Sequence, residues 1–323
     1  MTKKQHPSST GIDQAAALLR AGKLVAFPTE TVYGLGANAL DALAVARIFE
    51  AKGRPTTSPI IVHVSNYDML RSVVSEWPQA AQDLAQKFWP GPLTLVLRKQ
   101  PAVPALVTAG LETVGVRMPS HPVALALIEA ADLPVAAPSA NRFTQLSPTT
   151  ADHVRQGLGD RVDYILDGGA CTVGIESTVL SLAGAIPVLL RPGGVSRAQM
   201  EAVIGRVVQQ LEPATTAHPS PGMHPRHYSP RTKLLLVREG EVPQEGSGAY
   251  LQLYLPPKSE VRKIVLMPAD AEKYAAQLYG ALHELDLEAF DWIAVDSPDE
   301  DPEWDAIRDR LRRAASSGTA MPR

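Results

Sequence analysis

FPTETVYGLG, residues 27–36, follows the apolar run Lys23–Phe27. That run reads as a short buried strand, set off by Gly22 from the helical spacing of Ile12, Ala15, Ala16, Leu18 and Leu19. Two threonines, a glutamate, a tyrosine and two glycines then stand where the strand is expected to end. So many hydroxyls are more than a passive turn needs, and strand ends are where α/β proteins place ligand-binding groups.

Outward from this point the elements alternate. DALAVARIFEAKG (41–53) predicts a helix with Asp41 as N-cap and Gly53 just past its end. Strands are predicted at PIIVHV, LTLVLR, TVGVRM, LPVAA, DYILDGG, STVLSL and PVLLRPG, with helices near 80–88, 122–131, 149–157 and 196–204. This is a mixed α/β domain over 1–208. LEPATTAHPSPGMHPRHYSPRT (211–232) holds five prolines and no helical or strand period, so 209–232 reads as a linker. Strands at KLLLVRE, AYLQLYL, RKIVLM and DWIAVD, with helices near 270–286 and 303–315, predict a small Rossmann-like α/β domain over 233–323.

Composition excludes several classes. The 323 residues carry 31 basic and 34 acidic side chains, a net charge of -3, so no global pull towards nucleic acid or membrane is expected. One cysteine, Cys171, excludes an internal disulfide framework and a cysteine-based metal cluster. No apolar segment follows MTKKQHPSSTG and no run of about 18 apolar residues occurs, so a cytoplasmic location without membrane insertion is the expectation. There is no G-x-x-x-x-G-K-[ST] loop and no G-x-S-x-G elbow. GLGANA (34–39) satisfies G-x-G-x-x-A, but PIIVHV, the next strand, lacks the acidic residue a dinucleotide site requires. HPRH (224–227) offers two histidines without further ligands at metal spacing.

What remains is a set of polar clusters at strand ends. Thr29, Glu30, Thr31 and Tyr33 form the first, and Lys52 and Arg54 flank Gly53 just before Pro55. Arg117 closes TVGVR, while Ser139, Asn141, Arg142 and Ser147 run through APSANRFTQLSPT, and GIESTV and LLRPGG add Ser177, Thr178 and Arg191. Guanidinium forks and hydroxyls in this number suit a ligand bearing phosphates and a carboxylate. Each feature also has a plainer reading: Lys-x-Arg as a solvated pair, strand-end Ser and Thr as caps, His63 beside IIV as a packed core residue.

The order FPTETVYGLG, AKGRP with PIIVHV, WPGPLTLVL, GVRMPSH, APSAN, GIESTV and LLRPGG resembles the YrdC/YciO family across residues 11 to about 205. GMHPRHYSP and the second α/β segment resemble the long, two-domain form that makes L-threonylcarbamoyladenylate. The resemblance implies a twisted mixed-sheet α/β domain with an electropositive concave face. It also implies formation of threonylcarbamoyl-AMP and pyrophosphate from L-threonine, bicarbonate and ATP, with Mg2+ accompanying ATP. The activated group would pass, through a separate tRNA threonylcarbamoyl transferase complex, to the adenosine beside the anticodon. The family pattern sets Thr31, His63, Arg117, Ala137 and Ser177 around L-threonine, Arg117 facing its carboxylate. To ATP it gives Arg54, Ser58, Thr113, Ser139, Asn141, Ser147, Arg191 and Tyr228, and to charge neutralisation in catalysis Lys52 and Arg54. Where many relatives carry asparagine after KxRP, this chain reads TTS (56–58). The linker is expected to cover the cleft. Two alternatives stay open: the related carbamoyl-adenylate chemistry of hydrogenase maturation, which goes with Cys-rich zinc fingers, and RNA binding through the basic face.

Overall fold

Helix α1 (Ser9–Arg20) buries Ala15, Ala16 and Leu19 and hands the chain to β1 (Val25–Pro28), whose four residues are all buried. These elements belong to a computed structural model that describes residues 9–209 and 227–315. The polar stretch after β1 does not end the sheet. A turn over residues 29–32 leads to β2 (Tyr33–Asn38), which returns antiparallel with Val25 opposite Gly36 and Phe27 opposite Gly34. The glycines that mimic a nucleotide loop are therefore strand residues. A Cβ on Gly36 would lie 2.8 Å from the Phe27 ring and 2.9 Å from Val135, so close packing demands glycine there.

Helix α2 (Ala42–Lys52) begins where Asp41 accepts from the amides of Leu43 and Ala44, and stops at Gly53, whose φ of 63° only glycine adopts without strain. Then come β3 (Val62–His63), α3 (Tyr67–Val73), α4 (Gln79–Phe88), β4 (Leu93–Arg98), β5 (Thr113–Arg117), α5 (Pro122–Ala131) and β6 (Val135–Ala136). They are followed by α6 (Ala151–Leu158), β7 (Tyr164–Ile165), β8 (Thr178–Ser181), β9 (Val188–Arg191), α7 (Arg197–Ile204) and β10 (Val208–Gln209). The strands form one mixed sheet in the order β10-β9-β8-β4-β5-β3-β6-β2-β1-β7. PIIVHV keeps only Val62 and His63 in a strand, because Ile60 pairs its amide with Val107 and Ile61 its carbonyl with Ala137 in the loops.

After residue 226 a second sheet assembles from β11 (Lys233–Val237), β12 (Gly248–Gln252), β13 (Lys263–Leu266) and β14 (Trp292–Asp296), all parallel, ordered β11-β14-β12-β13. Helices α8 (Ala271–Asp286) and α9 (Asp305–Ala315) cover one face. The resulting core includes Leu251, Ile293, Leu278, Tyr279 and Leu311, and also Val32, Leu146, Ile175 and Tyr228, so the two halves share buried apolar surface. At the junction Gly174 (φ 78°) stands so close to α8 that a Cβ would lie 2.5 Å from the Ala275 carbonyl oxygen. Of the expected linker, residues 210–226 lie outside the described residues; His227–Pro230 belong to the packed structure. Among the described residues no helix is long and apolar enough to cross a membrane.

Candidate active site

The turn after β1 is held by its own hydroxyls. Thr29 Oγ1 donates to the Val32 carbonyl (2.7 Å) and accepts from the amides of Thr31 and Val32 (both 3.2 Å). This fixes the Thr31 hydroxyl, 2.8 Å from that of Thr29, towards Arg117 at the end of β5. Arg117 donates from Nη1 to Thr31 Oγ1 (3.0 Å) and from Nε to the Gly91 carbonyl (3.1 Å), and its Nη2 lies 2.7 Å from Glu30 Oε1. Burial would raise the Glu30 carboxyl, but Arg117 holds it below the usual carboxylate range. Of the five N–H groups of a guanidinium these contacts use three, and since Nη2 is buried, a carboxylate would reach the pair left on the two Nη atoms only as the wall moves.

His63 stands opposite Arg117 in the β3–β5 register. Burial, then the positive charge of Arg117, pulls its imidazole down to about 3, so the ring is neutral at pH 7. On the other flank, Arg191 at the end of β9 donates from Nε (3.1 Å) and Nη2 (2.9 Å) to the Ser177 carbonyl and from Nη2 to Ser177 Oγ (3.2 Å). Ser177 Oγ is also 2.8 Å from Thr94 Oγ1. Arg54, carried just past Gly53, donates to the Pro59 carbonyl (3.0 Å) while its buried Nε has no hydrogen-bond partner among the described residues. Burial, reinforced by Arg191, draws this guanidinium down to about 10.

These groups share one cavity, walled by Thr29, Thr31, Val32, Gly34, Arg54, Ile61, His63, Arg117, Ala137, Pro138, Ser139, Glu176, Ser177, Arg191, His227 and Tyr228. Three buried guanidiniums around one hollow suit it to an anion. Its volume is about 50 Å³. Small-molecule sites span roughly 300–1,000 Å³, so a ligand of that size would need part of this wall to move. The linker residues His227 and Tyr228 are both buried in it.

All five positions expected around L-threonine, Thr31, His63, Arg117, Ala137 and Ser177, line this cavity, as do Arg54, Ser139, Arg191 and Tyr228 of the ATP set. The others stand elsewhere. Lys52 is buried behind the wall, where Nζ donates to the carbonyls of Ser139 and Asn141; it braces the APSAN loop and does not face the cavity. Burial, then Arg54, pulls its ammonium well below the usual lysine range. Asn141 spends its amide on the carbonyls of Arg142 (2.7 Å) and Gln145 (2.9 Å) and borders a separate cavity with His153 and His283. Ser147 donates to Glu176 Oε1 (2.5 Å), behind the wall. Ser58 is buried away from the cavity lining, its amide bonded to the Pro55 carbonyl. Thr113 opens β5 opposite Arg98, at the end of the strand away from Arg117.

Glu176 is the wall residue that sequence reasoning passed over, although GIESTV contains it. Burial would raise its carboxyl; Arg310, then Arg191, keeps it below the ordinary carboxylate range. Its main cation comes from α9, 134 positions on, and a separation of that size leaves no local pattern. Cys171 is buried, and burial, then Glu30, pushes its thiol up, away from the thiolate that a nucleophile needs. Among the described residues no group of three or more His, Cys, Asp or Glu side chains is placed to hold a metal.

The family model of Sua5, YciO and YrdC proteins, described as "Telomere recombination", matches residues 17–193. One described as "Threonylcarbamoyl-AMP synthase, C-terminal domain" matches 195–316. The threonylcarbamoyl-AMP synthase of Bacillus subtilis (strain 168) is 45% identical over 327 residues, covering 94% of this chain and 92% of that one. That of Pyrococcus abyssi (strain GE5 / Orsay) is 42% identical, covering 93% of both. The crystal structure of the P. abyssi protein complexed with L-threonine superposes with a TM-score of 0.87 at 41% identity, covering 94% of each chain.

Proposed function

This chain belongs to the two-domain threonylcarbamoyl-AMP synthases, and from that membership and the cavity we infer how it works. It is a nucleotidyltransferase that joins L-threonine, bicarbonate and ATP into threonylcarbamoyl-AMP, with release of pyrophosphate and water. The observation that carries the assignment of residues is the meeting of Arg54, Arg117 and Arg191 with Thr31, His63 and Ser177 around one hollow.

The threonine carboxylate takes the two remaining Nη hydrogens of Arg117, as a bidentate pair. Bicarbonate gives up hydroxide to become carbon dioxide, and that hydroxide takes one proton from the threonine ammonium and leaves as water. The freed amine attacks the carbon, its second proton passing to solvent, while the neutral His63 adds no positive charge beside it. The carbamate oxygen attacks the α-phosphorus of ATP, the bond to the β-phosphate oxygen breaks, and pyrophosphate departs with the electron pair. Arg54 and Arg191 face the phosphates and balance the charge that develops there. No covalent intermediate with the protein is involved; orientation of two reactants supplies the larger share of the rate, up to roughly 7–11 kcal/mol. The wall offers Glu176 as its carboxylate, already tied to Arg310, so a protein cage for Mg2+ does not fit here. Mg2+ enters on the triphosphate.

The product serves modification of the adenosine next to the anticodon, transferred by a separate tRNA threonylcarbamoyl transferase complex in the cytoplasm. RNA binding by this chain itself is weak, since a net charge of -3 gives no overall attraction and only the local basic face could supply it. The match of residues 195–316 to the synthase C-terminal domain favours this reading over hydrogenase-type carbamoyl-adenylate chemistry. The test is mass spectrometry of reactions containing ATP, bicarbonate and each amino acid in turn. Threonylcarbamoyl-AMP and pyrophosphate should accumulate together with L-threonine, whereas ATP turnover indifferent to threonine would overturn the assignment.

A further inference from the structure

Arg310 lies on α9, in the C-terminal half, yet it is 1% exposed and reaches Glu176 in the wall of the cavity. Its Nε donates to Glu176 Oε2 at 2.7 Å and its Nη2 to the Pro192 carbonyl at 3.0 Å. Nη1 pairs with Asp309 (2.7 Å), and the guanidinium carbon sits 5.1 Å from the centre of the Tyr228 ring. One side chain thus holds the segment before β8, the turn after β9 and the linker tyrosine. Ser177 follows Glu176 and Arg191 precedes Pro192, so the two segments it ties are those that carry Ser177 and Arg191 into the cavity. Tyr279 of α8 donates to the same carboxylate (3.2 Å to Oε2). The C-terminal half therefore reaches the site through Glu176.

We propose that Arg310 is a positioning residue for adenylate formation, which by pairing with Glu176 keeps that carboxylate from capturing Arg191 and so holds Arg191 and Tyr228 where the ATP phosphates bind. The proposal rests on the assignment of Arg191 to the phosphates given above. Glu176 lines the cavity and Arg191 is the second cation that lowers its carboxyl, so a Glu176 stripped of Arg310 keeps the hydroxyls of Ser147 and Tyr279 and has Arg191 as its remaining cation. Removing the cation of a buried pair leaves an uncompensated charge, which gains from any cation that can move towards it. The outcome would be an enzyme whose threonine half is intact and whose phosphate half is occupied from within.

The experiment compares KM for ATP and for L-threonine, with kcat, in the full chain and in Arg310→Met, Arg310→Lys, the pair Glu176→Gln with Arg310→Met, and Arg191→Met. Thermal melts accompany each to establish the folded fraction. Arg310→Met should raise the ATP KM at least tenfold with the L-threonine KM within threefold. Arg310→Lys should recover part of the loss, and the double variant at least half of it on a logarithmic scale, because the trapped charge is gone. Equal changes in both KM values, or a double variant no better than Arg310→Met, overturn the proposal and leave Arg310 a packing residue. If Arg310→Met does not fold, the lysine and double variants decide on the same criteria. An Arg191→Met enzyme with unchanged ATP KM would instead refute the assignment of Arg191 to the phosphates, a separate result.

Discussion

Replacing Arg117 by lysine keeps one positive charge and removes the fork. Arg117 serves Thr31 Oγ1, the Gly91 carbonyl and Glu30, and still has one N–H on each Nη. A lysine ammonium has three N–H groups on a single nitrogen; the acceptors already present can absorb all of them. The substrate carboxylate then loses a charge-assisted bidentate contact, worth about 2–3 kcal/mol. That corresponds to a KM for L-threonine higher by roughly 30- to 150-fold. The ATP KM should stay within threefold, since the phosphates are assigned to the opposite flank. Lysine is preferred to methionine because Glu30 keeps a counter-charge; leaving it alone in a buried site costs about 3–5 kcal/mol of stability and confuses binding with folding. The assay is initial-rate formation of threonylcarbamoyl-AMP with each substrate varied, alongside calorimetric titration of L-threonine. A folded Arg117→Lys protein with unchanged threonine affinity, or with both KM values raised alike, would refute the placement of the carboxylate.

Stability should decline as pH falls from about 6.5, the ordinary histidine value. The fold keeps His63 unprotonated down to about 3 and His153 down to about 4, so the unfolded chain binds more protons throughout that window. Urea midpoints at pH 7.0 and 5.5 read this out, and equal midpoints would contradict it. Gly174→Ala should destabilise by about 2–5 kcal/mol, combining positive-φ strain with overpacking against α8. Gly53→Ala, also at positive φ but with no atom within 4 Å of the new Cβ, should cost only about 1–2 kcal/mol; matching losses in urea titration would show that the α8 contact is slack. Cys171 is 6% exposed and its thiol is pushed up, so a thiol reagent should modify the native chain far more slowly than the denatured one; comparable rates would contradict its burial.

What was legible in the sequence was mostly local. Helix α2 announces itself through Asp41 and Gly53, because caps act over three or four residues. The C-terminal strands and helices stand out as apolar runs between turns. Strand β2 was not legible: YGLGAN has the glycines of a loop, and only the close approach of Phe27 and Val135 explains them. Helix α3 was missed although Asn66 caps it through the Met69 amide, since seven residues carry too little periodicity. In the site, the order of motifs names Thr31, His63, Arg117 and Ser177, and all four line one hollow. The same order misplaced Lys52, because charge along the chain does not reveal that the APSAN loop offers two carbonyls to its ammonium. Arg310 had no signal at all: arginine in an amphipathic helix reads as a solvated face until the fold buries it.

The ion pair between Glu176 and Arg310 also has an order in time. A ribosome adding roughly 5–20 residues per second reaches Arg310 some 7 to 27 seconds after Glu176, given their separation of 134 positions. Until α9 emerges, the nascent chain carries a carboxylate that its half-built interior cannot accommodate. Synthesis must run as far as α9 before the cavity can close on a neutralised wall, so a product that stops short of Arg310 keeps Glu176 without its main cation.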